Sequence, residues 1–248
     1  MAANSWKKTA ILLTVLLISS LIANIHLFFR AKGYRDGANE WLDKYTNIVE
    51  EFSQRKVYAG ENESLQSDSI VAKRIVFLGT QVTERWDLQS SFIGFETINR
   101  GITGQLVAGM TLRFQSDVVR LMPQYVVIEI SSYNLRPQYS LAEIQDYVIS
   151  MTELARYHGI TPILSTMIPL REGFDDFGDY SVTDNLITYN NWLKNYCETN
   201  NISFVDFYSA LLDENGFLKN ELSCDAIDPN QNGYDIMSKL IVTLLPSQ

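Results

Sequence analysis

An α/β domain built on a parallel sheet with helices on both faces, preceded by one membrane-spanning helix, is the fold class predicted by this sequence. Three observations carry the prediction. Short apolar runs rich in Val, Ile and Phe recur along the chain, helical patterns alternate with them, and an uncharged apolar stretch lies near the N-terminus.

The runs are RIVFLG at 74–79, FETI at 95–98, YVVIEI at 125–130, TPILST at 161–166 and ISFVDF at 202–207. Continuous apolar runs of this length read as strands buried on both faces. Between them, apolar residues recur at helical spacing. The first set is Leu106, Met110, Phe114, Val118 and Leu121, and the second is Ile144, Val148, Met151 and Leu154. Ile187, Trp192 and Leu193 follow, then Ile236, Leu240, Val242 and Leu245. Strands alternating with helices predict a three-layer αβα sandwich with a five-stranded parallel sheet.

From Ala10 to Phe29 the chain carries no charge and is long enough to cross about 30 Å of hydrocarbon as a helix. Lys7 and Lys8 bound it on one side, Arg30, Lys32 and Arg35 on the other, and Phe28 and Phe29 sit near the second interface. A cleavable signal peptide is the competing reading. Cleavage after Ala23 would put Leu21 where a small residue is wanted, which favours an uncleaved anchor. The basic residues on the two sides leave orientation open by charge alone.

Beyond the anchor, Trp41, Leu42, Tyr45, Ile48, Val49 and Phe52 predict an amphipathic helix over 36–56. It can serve as a stalk, as a seam for self-association, or as a helix packed on the main domain. Residues 58–70, YAGENESLQSDSI, read as a polar linker. The predicted organisation is therefore a flank at 1–9, an anchor at 10–29, a helix and linker at 30–71, and one globular domain at 72–248.

With 248 residues, 46% of them hydrophobic, the chain can bury a full core. Its formal charge of −9 and lack of basic runs argue against nucleic acid as a partner. Cys197 and Cys224 lack metal or redox spacing, and the sequence leaves open whether they are bridged. The histidines are His26 and His158.

Ligands of parallel α/β sheets bind at the carboxyl ends of the strands, so the strand-to-helix loops are the informative places. These are Gly79-Thr80-Gln81-Val82-Thr83-Glu84-Arg85-Trp86, Asn99-Arg100-Gly101-Ile102-Thr103-Gly104, Ser131-Ser132-Tyr133-Asn134, and Cys224-Asp225-Ala226-Ile227-Asp228-Pro229-Asn230. In this order they resemble the four sequence blocks of the SGNH (GDSL-type) hydrolases, over roughly residues 72–245. The resemblance implies a flavodoxin-like fold and an exported domain, hence an extracytoplasmic location.

It also implies where hydrolytic chemistry is missing. In the family, Gly-Asp-Ser supplies the nucleophile; here Gly79-Thr80-Gln81 places a carboxamide at that position. In the family, Asp-x-x-His-Pro supplies the base; here Asp225 and Pro229 match but Asp228 replaces the histidine. Tyr133, followed by Asn134, stands where the oxyanion asparagine belongs, while Gly101 matches the oxyanion glycine. His158 ends a predicted helix and His26 lies in the anchor, so neither replaces the base. Ser132, Thr80 or Thr83 would need a carboxylate base, a poor match at an ordinary pKa of about 4.

The resulting expectation is a membrane-anchored, esterase-like domain that binds an acyl, acetylated-glycan or related small ligand without Ser-His hydrolysis. Thr80, Gln81, Gly101, Tyr133, Asn134, Asp225 and Asp228 would line its cleft. A hydrolase using Asp225 and Asp228 as paired carboxylates, and a membrane-proximal scaffold, remain alternatives. The acidic loop Glu172–Asp179 fits no calcium-loop spacing, and neither a metal nor a cofactor is expected.

Overall fold

In the computed structural model the described residues are 2–135, 139–174, 181–225 and 228–246, with side chains described from Trp6 to Thr46 and from Phe52 onward. The chain divides into two compact units, Met1–Glu51 and Phe52–Gln248.

The described residues of the first unit lie within one continuous helix, α1 (Ala2–Ser53). Its segment Trp6–Thr46 is long and apolar enough to cross a membrane. Polar side chains in the apolar stretch bond to their own helix: Thr14 donates to the Ala10 carbonyl at 2.9 Å, Ser19 to Val15 at 2.9 Å and Asn24 to Ser20 at 2.8 Å. Hydrocarbon offers no other partners, so this arrangement suits a membrane-crossing helix. The amphipathic pattern expected over 36–56 continues the same helix without a break up to Ser53. Ile48 and Val49 fall outside the described side chains.

In the second unit, the strands are β1 (Val71–Gly79), β2 (Glu96–Gly101), β3 (Pro123–Ile128), β4 (Thr161–Ser165) and β5 (Ser203–Val205). All pair in parallel, in the order β2-β1-β3-β4-β5, as the five apolar runs predict. Side chains alternate across a strand, so each one feeds two cores. Val76, Leu78, Val126, Ile128 and Leu164 pack beneath α5 (Val107–Asp117), α6 (Leu141–Tyr157) and α7 (Val182–Asn200). Ile75, Phe77, Val127 and Ile163 pack against Trp86, Phe92, α4 (Leu88–Ser91), α8 (Phe207–Leu211) and α9 (Gln231–Val242). Since β2 and β3 flank β1, the chain reverses direction across the sheet between β1 and β3. A crevice opens at the carboxyl ends of such a pair.

The segment expected as a linker, 58–70, contains helix α2 (Ala59–Leu65). Its polarity has a physical reason. Arg100 and Arg113 are fully buried, and Asp117 beside them is 1% exposed. Arg113 donates to Asp117 at 2.8 Å, and burial lowers the guanidinium pKa. Arg100 donates to Asn62 Oδ1 at 2.9 Å and to Glu61 at 3.2 Å, while Asn62 donates to Asp117 at 2.7 Å. Two buried cations thus meet one buried carboxylate, and the post-anchor segment supplies the second acid together with the bridging amide. The domain therefore begins before residue 72.

Cys197 is buried on α7, Cys224 is exposed, and both are free thiols.

Removing the Asn62 amide leaves polar groups of Arg100 and Asp117 unpaired in the interior. Asn62→Ala is expected to cost about 2–4 kcal/mol in urea unfolding. A loss below 1 kcal/mol would show that solvent replaces the amide and that the segment is an accessory.

Candidate active site

Short turns bring the predicted loops together at the carboxyl edge of the sheet. β1 ends at Gly79, where a Cβ would lie 2.0 Å from Thr83 Oγ1 and 2.5 Å from Glu129 Oε2, so only glycine fits. The one-turn helix α3 (Gln81–Glu84) follows at once. Thr80 precedes it with its backbone N–H 2.7 Å from Glu129 Oε2 and its hydroxyl 3.0 Å from both carboxylate oxygens. The Thr83 hydroxyl adds a further bond at 3.0 Å. Burial raises the pKa of Glu129, and these donors oppose the shift. The site thus includes Glu129, which sequence reading treats merely as part of a strand; the available signal was a lone acid inside an apolar run.

Gln81 occupies the first position of α3 and is 5% exposed. At the other end of α3, Arg85 reaches the last loop, where Nη1 donates to Asp225 Oδ2 at 3.2 Å and to Asp228 Oδ2 at closer range. Asp225 in turn accepts the Asp228 N–H at 2.8 Å. The Asp228 side chain is almost wholly buried, and its Oδ1 has no hydrogen-bond partner among the described residues. Its carboxyl is pushed up to about 6, first by burial and next by the Asp225 charge, with Arg85 opposing. Arg85 was not among the expected site residues. Its partners lie more than a hundred residues along the chain, and no local pattern announces them.

The turn that presents the two aspartates is explained by its neighbours. Asn230 caps α9 by accepting the Gly233 N–H at 3.2 Å. A Cβ at Gly233 would lie 2.7 Å from the Leu222 carbonyl and 2.8 Å from the Pro229 side chain. The Tyr234 hydroxyl donates to the Val82 carbonyl at 2.8 Å, locking α9 onto α3.

Two expected residues are otherwise engaged. Asn134 accepts the Val107 N–H at 2.7 Å and donates to the Ser131 carbonyl at 3.3 Å, so both ends of its carboxamide fasten the loop after β3 to the start of α5. The Gly101 N–H donates to Asn99 Oδ1 at 2.8 Å and is spent there, while its carbonyl accepts the Tyr58 hydroxyl. Gly101 is instead a packing glycine, since a Cβ would lie 2.1 Å from the Glu84 nitrogen. In the same loop Gly104 has φ +73°, and its N–H meets no acceptor among the described residues. Tyr133 lies half-buried on a 3₁₀ turn at the end of β3. His158 caps the end of α6, immediately before β4 and hence at the opposite edge of the sheet from these loops. Among the described residues no cluster of His, Cys, Asp and Glu is arranged to hold a metal ion; Asp175–Asp179 lie outside them.

The model of the GDSL-like lipase/acylhydrolase family matches residues 68–236. The chain belongs to that family. A GDSL-like lipase structure from Bacteroides thetaiotaomicron superposes with a TM-score of 0.69 at 32% identity, covering 78% of this chain and 97% of that one. The acetylxylan esterase Axe2 from Geobacillus stearothermophilus shares the fold, with a TM-score of 0.59 at 20% identity, covering 72% and 96% respectively. An uncharacterised lipoprotein of Bacillus subtilis, YqeF, is 34% identical over 84 residues, which is 32% of this chain and 35% of that protein. Within the GDSL-like frame, the ion pair between Arg85 and Asp228 stands where the resemblance places the catalytic histidine.

Because folding raises the Asp228 pKa above its unfolded value of about 4, ionising this group costs stability. The cost is absent below about pH 4, grows as pH rises towards 6 and is complete above that. Urea unfolding of Asp228→Asn beside the parent should therefore show the variant gaining about 2–3 kcal/mol relative to the parent between pH 4 and 7.5. Parallel pH profiles would mean that Asp228 titrates as an ordinary carboxyl.

Proposed function

We propose that this GDSL-like domain is a membrane-tethered, extracytoplasmic pseudoenzyme that binds an acyl, acetylated-glycan or related ester-bearing ligand without Ser-His hydrolysis. The observation that carries this reading is the pairing at the family's catalytic positions. By the resemblance, a carboxamide, Gln81, falls at the nucleophile's position and a buried carboxylate tied to Arg85, Asp228, at the base's position. A carboxamide cannot form an acyl-enzyme, so a base at Asp228 has no hydroxyl at position 81 to activate. The ligand class is supported by neighbours described as a GDSL-like lipase and, at the level of fold, an acetylxylan esterase. Membrane association is supported by the apolar helix and by the lipoprotein relative.

One observation favours a second reading, carboxylate acid/base chemistry. Asp228 carries a raised pKa of about 6 and an Oδ1 without a partner among the described residues, next to Asp225.

Hydrolysis of p-nitrophenyl acetate by the full chain in detergent separates the two. The parent should not exceed the buffer rate. Gln81→Ser with Asp228→His should gain little, because the Arg85 charge beside the new imidazole lowers its pKa and holds it off the serine. Adding Arg85→Gln should raise the rate at least tenfold over the double variant. Parental turnover that vanishes in Asp228→Asn would overturn the pseudoenzyme reading in favour of the second.

Cys224 is exposed and Cys197 buried, which gives a direct test of orientation. A membrane-impermeant maleimide should label Cys224 in intact cells. Labelling only after permeabilisation would put the domain on the cytoplasmic side.

A further inference from the structure

We infer that the segment Phe52–Leu65, which follows directly on the tether, is a positioning element of the cleft. Its docking and the geometry of the 99–105 loop form one coupled equilibrium. The segment grips that loop at both ends. At the near end the Tyr58 hydroxyl donates to the Gly101 carbonyl, and the Arg100 guanidinium lies 4.5 Å above the Tyr58 ring. Arg100 then donates to Asn62 Oδ1 from Nε at 3.1 Å and from Nη2 at 2.9 Å, and to the Asn99 carbonyl at 2.7 Å. At the far end Gln105 Nε2 donates to the Ser53 carbonyl at 3.1 Å. A Cβ at Gly109 would lie 2.6 Å from the Phe52 carbonyl, so backbone meets backbone there. Gly104, with its left-handed φ, lies between the two grips.

The grip extends to the loop after β1. Asn99 accepts the Gly101 N–H at 2.8 Å and donates to the Thr83 carbonyl at 2.7 Å, so the register of α3 depends on the same side chain that orders the Gly101 turn. Thr103 N–H meets Glu84 Oε2 at 2.9 Å and adds a second tie between the two loops. Undocking the segment would remove the Gly101 carbonyl's donor, Gln105's acceptor and the second counterion of the buried arginine pair in one event. Conversely, a ligand that fixes the 99–105 loop must strengthen docking by the same factor, since coupling between two sites is reciprocal.

Tyr58→Phe isolates the claim, because it keeps the ring under Arg100 and deletes only the donor to Gly101. Amide hydrogen exchange of the full chain in detergent micelles reads the outcome, with β4 residues 161–165 as internal reference. The expected result is exchange about fivefold faster across 99–105, the scale of one hydrogen bond, with β4 unchanged. Glu61→Gln, which weakens a half-exposed ion pair with little risk to folding, should move the same loop in the same direction by a smaller factor. Unchanged exchange at 99–105 in both variants overturns the inference. So does equal acceleration at 99–105 and in β4, which would make the segment a general support of the fold and not a positioning element.

Discussion

The arrangement of the cleft depends on one carboxylate buried where the chain changes direction across the sheet. Glu129 follows β3 directly, and its backbone N–H continues the ladder to the Leu78 carbonyl at 2.9 Å. Its side chain gathers the Thr80 N–H and two threonine hydroxyls. A buried carboxylate needs several donors, and the two threonines, with the glycine before them that leaves room, supply these. Thr80 and Thr83 are thus fixed by an acid beneath them, and Gln81 and Arg85 are carried to their places as a consequence.

Much of the fold was legible because it follows from periodicity. Alternation within RIVFLG sends Ile75 and Phe77 to one core and Val76 and Leu78 to the other, as strand geometry requires. What could not be read were pairings set by the third dimension. Nothing near Arg85 names Asp228, and nothing near Asn62 names Arg100, because these partners meet only after the sheet has formed. The polar stretch at 58–70 resembles a linker in composition, since a segment that cradles a buried guanidinium needs the same Asn, Glu and Tyr that a solvated one tolerates. Asn134 and Gly101 illustrate a different limit: both occupy cleft loops, but their polar groups are spent on helix α5 and on Asn99.

The last loop and the end of α3 form a coherent electrostatic unit. Arg85, Asp225 and Asp228 share one guanidinium nitrogen, and the backbone of the last turn is closed by the Asp225 carboxylate. The turn is held by identifiable contacts at Pro229, Asn230, Gly233 and Tyr234. Packing of the glycines and of the tyrosine maintains the cleft, whatever side chains occupy the reacting positions.

The bond from Tyr234 to the Val82 carbonyl joins residues 152 positions apart. Arg85 and Asp228 are separated almost as widely. The polar network of residues 53–117, by contrast, draws all its partners from the first half of the chain. During synthesis that network can assemble while the C-terminal part is still in the ribosome, but the face of the sheet that α9 covers stays open until the final helix emerges. The cleft is consequently the last region to mature, and the nascent domain waits with Phe77 and Trp86 uncovered on that face, a stage at which a chaperone or the membrane surface has its best opportunity to engage it.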